Sequence, residues 1–134
     1  MRIVIDTNVM IAAVSRRSPY RRILDQLLIG SFELYLSTEI LLEYNEVMER
    51  FYSREVANST LSGILFLNNV FRVETYYNLR LIENDEDDNK FADCAFASNA
   101  HYLVTNDRDY NILKTVVFPR INLLKGNEFL ELLS

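Results

Sequence analysis

A chain of 134 residues, 49% hydrophobic and 25% charged, reads as one soluble globular domain (1–134) with one core. Its single cysteine, Cys94, excludes an internal disulfide and fits a reducing compartment. No basic segment with a long apolar run after it opens the chain, and no apolar stretch nears the ~18 residues of a membrane span, so a cytoplasmic location is expected. The net charge of −5 weighs mildly against a nucleic-acid binder. Distribution matters more than the sum: Arg16, Arg17, Arg21 and Arg22 cluster, while Glu83, Asp85, Glu86, Asp87 and Asp88 form an acidic run.

In chain order, residues 2–5 predict a first strand, an apolar run that stops at Asp6. Ser18-Pro19 predicts a helix start, with Ser as N-cap and Pro at the first helical position. A stripe of Ile23/Leu24 and Leu27/Leu28 follows, and Gly30 ends it. Residues 32–36 predict a strand. Ser37 then caps a helix with a stripe at Ile40, Tyr44, Val47, Met48 and Phe51. Residues 54–70 read as helical with Ile64, Leu65 and Leu67 inward, and residues 71–75 as a strand. A helix over 89–99 has Phe91, Ala92, Ala95 and Ala97 on or near its buried side. Residues 102–105 predict a strand, followed by a polar turn over 106–109. A weaker strand over 116–121 is broken by Pro119, and 127–133 forms a closing helix. Strands alternating with helices imply an α/β fold: a mainly parallel sheet with helices on both faces.

Four carboxylates stand beside strand-end or helix-start signals: Asp6, Glu43, Asp88 and Asp107. In an open parallel sheet, ligands bind outside the carboxyl ends of the strands, and all four acids can converge on that edge. Converging carboxylates repel one another, and a hard divalent cation such as Mg2+ or Mn2+ removes the conflict. Each acid alone has a plainer reading. Asp6 and Asp107 suit turn caps, Glu43 a solvated helix position, and Asp88 an N-cap. Asp93, on a helix otherwise built of Phe and Ala, is a fifth candidate ligand and can share a face with Asn89.

Other chemistries fit less well. Asp85-x-Asp87-x-Asn89 opens like an EF-hand loop, but Lys90 and Phe96 stand where Gly and Glu are required. An Asp-nucleophile phosphotransferase would carry a second Asp where Asn8 stands. His101 has no second His for metal-free acid–base cleavage. Cys94 has no His partner and reads as a buried structural thiol. No phosphate loop, dinucleotide fingerprint or zinc spacing is present.

The segments Ile3-Val4-Ile5-Asp6-Thr7-Asn8-Val9, Ser37-Thr38-Glu39-Ile40-Leu41-Leu42-Glu43, Asp87-Asp88-Asn89-Lys90-Phe91 and Tyr102-Leu103-Val104-Thr105-Asn106-Asp107-Arg108-Asp109 resemble, in order, the motifs of the PIN domain family. The likeness is strongest to its VapC-like toxins of toxin–antitoxin pairs. It implies a three-layer α/β/α sandwich and a Mg2+- or Mn2+-dependent ribonuclease. It also implies an RNA substrate and a small antitoxin partner, often acting on a homodimer. By position, Asp6, Glu43, Asp88 and Asp107 match the family's acidic quartet, and Thr7, Asn8 and Thr105 match the polar residues around it. Asp93 departs from the pattern, standing where many relatives carry a small residue. The arginine cluster is a candidate for phosphate contacts, although a solvated helix start explains at least two of its four members. The competing functions are a catalytically weak PIN-fold module that binds nucleic acid or protein, and a structure-specific DNA nuclease.

Overall fold

The computed structural model describes residues 1–75, 82, 86–116 and 120–134, with the side chains of 86–88 excepted. The chain forms, in order, β1 (Arg2–Ile5), α1 (Thr7–Val14), α2 (Arg21–Leu28), β2 (Glu33–Leu36), α3 (Thr38–Phe51), α4 (Arg54–Leu65), β3 (Val70–Arg72), α5 (Glu86–Ala97), β4 (Tyr102–Val104), a 3-10 helix (Arg108–Thr115), β5 (Leu123–Leu124) and α6 (Gly126–Leu132). Five strands make one sheet in the order β3-β2-β1-β4-β5, and every pairing is parallel. Helices cover both faces, giving the expected three-layer α/β/α sandwich.

A strand buried on both faces must be apolar throughout rather than alternating. Ile3, Val4 and Ile5 of β1, and Leu103 and Val104 of β4, are fully buried accordingly. From β1 the chain moves outward through β2 to β3, then crosses back to place β4 on the other side of β1. The order therefore reverses between β1 and β4. At such a switch point the connections leave in opposite directions, and a crevice opens at the strands' carboxyl ends. The register Ile5↔Val104 brings those two ends level.

The helices are held by caps and small-residue packing. Ser37 caps α3 by accepting the Ile40 N–H at 3.2 Å, as its sequence predicts. Gly30, at φ +84°, lies just past α2, a left-handed position that favours glycine. Ala92, Cys94 and Ala95 let α5 lie on β1, β4 and β2. Tyr44 of α3 is buried and donates its hydroxyl to the carbonyl of Ile5, tying α3 to the end of β1.

Several boundaries differ from expectation, for physical reasons. Helix α1 carries no sequence signal because Val9, Met10, Ile11 and Ala13 are all buried, leaving little polar face to set a period. The Ser18-Pro19 signal marks a turn, in which Ser18 Oγ accepts the Tyr20 N–H at 3.0 Å, and α2 begins only at Arg21. Helix α4 stops at Leu65, and its buried residues are Ala57, Leu61 and Ile64, whereas Leu65 is exposed. Phe51, expected in the α3 stripe, is also exposed. Ala97, expected near the buried side of α5, is exposed as well. The last strand is not 116–121 but Leu123–Leu124, paired with Leu103 and Val104. Residues 117–119 of the expected strand lie outside the described residues.

Candidate functional site at the ends of β1 and β4

Asp6 follows β1 directly, and its backbone N–H continues the ladder to Val104 O at 3.0 Å. It also caps α1, since its Oδ1 accepts the Asn8 N–H at 2.7 Å. The turn-cap reading of Asp6 is therefore correct as far as it goes. It does not explain the burial: Asp6 is 5% exposed. A cap at a helix start needs no such burial, and removing a carboxylate from water costs free energy. Burial pushes the Asp6 carboxyl above its ordinary value; the hydrogen bonds from Thr105, Asn8 and Val9 oppose the rise, and the Asp107 charge adds to it.

Asp107 repeats this geometry three residues after the end of β4. Its Oδ1 accepts the Asp109 N–H at 2.9 Å and caps the 3-10 helix. Between the two acids stands buried Thr105. Its hydroxyl donates to Asp6 Oδ2 at 2.5 Å and accepts the Asp107 N–H at 3.0 Å. One hydroxyl thus fixes both the second oxygen of Asp6 and the backbone that carries Asp107. Asp107 Oδ2 has no hydrogen-bond partner among the described residues.

Glu43 enters from the second turn of α3. Its Oε2 accepts the Thr7 hydroxyl, and its Oε1 pairs with Lys90 Nζ at 2.7 Å. The pair is largely enclosed, with side-chain exposures of 23% and 14%. Thr7, the residue following Asp6, thus links Glu43 to the end of β1. The Asn8 contribution comes from its backbone N–H, and its side chain is exposed. Lys90 was not anticipated. Only its place between the acidic motif and the apolar residues that begin at Phe91 could have hinted that it faces inward.

Asp88 lies in the first turn of α5, but its side chain, like that of Asp87, lies outside the described residues. Asp93 and Asn89 are both buried and share one face of α5, as their spacing predicts. Asn89 holds Ile82 at both ends, accepting its N–H at 2.9 Å and donating to its carbonyl at 2.7 Å. Cys94 is a free, buried thiol pushed up to about 12 by burial and by the neighbouring Asp93 charge, so it is an inert core residue. Among the described residues no three His, Cys, Asp or Glu side chains are arranged to hold a metal ion by themselves.

The arginine cluster is split. Arg21 pairs with Asp25 at 3.0 Å and donates to Val14 O at 2.8 Å, and Arg22 reaches Leu133 O at 3.4 Å. Both are used in tying α2 to its surroundings. Arg16 and Arg17 stay exposed.

The donor chemistry fits a hard divalent cation. Asp6, Asp107 and Glu43 offer only oxygen, which suits Mg2+ or Mn2+ over softer metals. Lys90 balances Glu43, whereas the burial of Asp6 beside Asp107 leaves negative charge that a cation would offset.

A family model described as PIN domain matches residues 2–109. No curated protein matches the chain. Among solved structures, the fold is similar to one reported as the crystal structure of VapBC2 from Rickettsia felis bound to a DNA fragment from their promoter. That likeness has a TM-score of 0.62 and 19% identity, and covers 93% of this chain and 98% of the other.

Proposed function

From the chain's membership of the PIN domain family we propose that it is a metal-dependent endoribonuclease, hydrolysing RNA phosphodiester bonds as the toxin of a toxin–antitoxin pair. The observation that carries this reading is the pairing of Asp6 and Asp107 through Thr105 at the switch point of the sheet. Asp6 and Asp107 are the principal ligands for Mg2+ or Mn2+, with Glu43, Asp88 and Asp93 as further oxygen donors. When bound, such a cation supplies Lewis acidity towards the phosphodiester and activation of the attacking water.

The chain's own residues do the positioning. Thr105 orients the Asp6 carboxylate and sets the backbone of Asp107. The Asn8 N–H holds the other Asp6 oxygen, so the carboxylate has little freedom to rotate. Thr7 and Lys90 fix both oxygens of Glu43. Lys90, paired with Glu43, also places a positive charge where it can meet a negatively charged substrate. The partner proposed is a small antitoxin, since the solved neighbour is described as a VapBC2 complex on promoter DNA. A homodimer and a cytoplasmic site of action complete the proposal.

The test is cleavage of end-labelled single-stranded RNA with Mg2+, with Mn2+ and with EDTA, beside single-stranded and flap DNA. The expected result is RNA cleavage that needs the metal and falls on the order of 100-fold or more in Asp6→Asn protein. Equal cleavage by the variant overturns the assignment. Preferred cleavage of flap DNA replaces it with the DNA-nuclease reading. Metal-independent RNA binding with no cleavage of any substrate points to the catalytically weak binding module.

A further inference from the structure

A cleft of about 300 Å³ opens beside Asp107, lined on one side by Arg108, Asn111 and Lys114 and on the other by Lys125 and Glu128. We propose that this cleft holds the backbone of single-stranded RNA as it leaves the candidate site, with Arg108, Lys114 and Lys125 contacting successive phosphates. The inference rests on the nucleic-acid reading given above and adds to it where the strand runs.

The periodicity of the 3-10 helix carries the argument. Such a helix has three residues per turn, so side chains at i and i+3 eclipse one another, and runs beyond 3–4 residues are uncommon. Here the run is 8 residues long, Arg108–Thr115. Tyr110 and Leu113 form its buried row and anchor it to the core. Arg108, Asn111 and Lys114 are the row that lines the cleft, each exposed, roughly 6 Å apart along the axis. An α-helix would have fanned these three side chains around its surface. The row starts at the residue after Asp107, so it leads straight away from the carboxylate edge.

The opposite wall is fixed as well. Asn106 accepts the Gly126 N–H at 2.9 Å and donates to the Tyr20 hydroxyl at 3.0 Å, which docks the start of α6 against the β4 turn. A Cβ at Gly126 would stand 2.8 Å from the Tyr20 ring, so any other residue would push that ring aside. Glu128 is engaged in accepting the Lys125 N–H at 2.8 Å. Arg108, Lys114 and Lys125 form no ion pair among the described residues. Three cations therefore face two acids, Asp107 and Glu128, in a chain that is otherwise strongly acidic. Cations unpaired among the described residues, with polar Asn between them, suit a phosphate backbone, which is held by charge without regard to base.

The experiment is fluorescence anisotropy of a labelled oligouridylate in EDTA with the full chain, so that binding is read without cleavage. Arg108→Gln, Lys114→Gln and Lys125→Gln are compared singly and together, with a double variant at the exposed, glutamate-paired Arg50 and Arg54 (Arg50→Gln/Arg54→Gln) as reference. Each single change is expected to weaken binding about 3-fold or more and to lower the slope of log affinity against log salt by ~0.7. The reference variant is expected to bind within about 2-fold of wild type. A triple variant with wild-type affinity and slope overturns the cleft alone, as does a reference variant that loses as much. Wild-type protein that binds no RNA overturns both the cleft and the ribonuclease reading. RNA held through the cleft but never cut supports the cleft and overturns the ribonuclease.

Discussion

Asp6 and Asp107 end neighbouring parallel strands in the same way, each capping the following helix through Oδ1 onto the N–H two residues on. They differ in their second oxygen and in their burial. Asp6 Oδ2 is held by Thr105, and the whole residue is buried; Asp107 is half-buried, and its Oδ2 has no hydrogen-bond partner among the described residues. Capping therefore accounts for the half-burial of Asp107 but not for the full burial of Asp6. A buried carboxylate with its affinity for protons raised is a cost that capping alone does not require, and it is this excess that marks a site.

The comparison can be broken most severely at Asp6. Asn caps helices as well as Asp, so Asp6→Asn keeps the hydrogen bond to Asn8 while removing the buried charge. Because the folded-state pKa of Asp6 lies above 3.8, the native protein binds more protons than the unfolded chain between those values. Wild-type stability therefore falls as pH rises through that window, and the loss is complete above the folded value. In EDTA, the variant should match wild type near pH 3.5 and exceed it at pH 7.5, read from urea midpoints, even as its cleavage measured separately with Mg2+ or Mn2+ falls on the order of 100-fold. A variant less stable than wild type at neutral pH would mean that the buried charge is locally satisfied.

Next in size is Thr105→Val, which leaves Asp6 Oδ2 and the Asp107 N–H without their shared hydroxyl. A destabilisation of about 1–3 kcal/mol is expected, with Thr105→Ser near wild type. Equal effects of Val and Ser would show that the relay is incidental. Lys90→Met should cost about 1 kcal/mol, because Glu43 keeps Thr7 but loses its cation in a largely enclosed place. The smallest effect belongs to Asp107→Asn, within roughly 0.5 kcal/mol at any pH, since the position is half-buried and the cap survives. A pH-dependent gain as large as that of Asp6→Asn would erase the distinction between the two acids.

Much of this arrangement is legible in the sequence, for identifiable reasons. The runs Ile3–Ile5 and Leu103–Val104 announce buried parallel strands because both faces must be apolar. The Ser37 cap and the Ile40, Tyr44 and Met48 stripe announce α3. Helix α1 was illegible because a fully enclosed helix shows no polar face. The pairing of Lys90 with Glu43 joins residues 47 apart and depends on how α3 and α5 pack, which no local pattern encodes. The cations divide in the same manner. Arg16, Arg17, Arg21 and Arg22 are adjacent in sequence, yet Arg21 and Arg22 are held by Asp25, Val14 and Leu133. Arg108, Lys114 and Lys125 are scattered, and a 3-10 period and one strand pairing bring them to one cleft.

The central claim is that the carboxyl ends of β1 and β4 form a divalent-cation site. Calorimetric titration of Mn2+ into metal-stripped wild type and Asp6→Asn protein, both checked for folding by thermal melts, tests it most directly. Saturable binding by wild type that is lost in the variant is the predicted result. No saturable binding by wild type, or the same binding by both proteins, would contradict it.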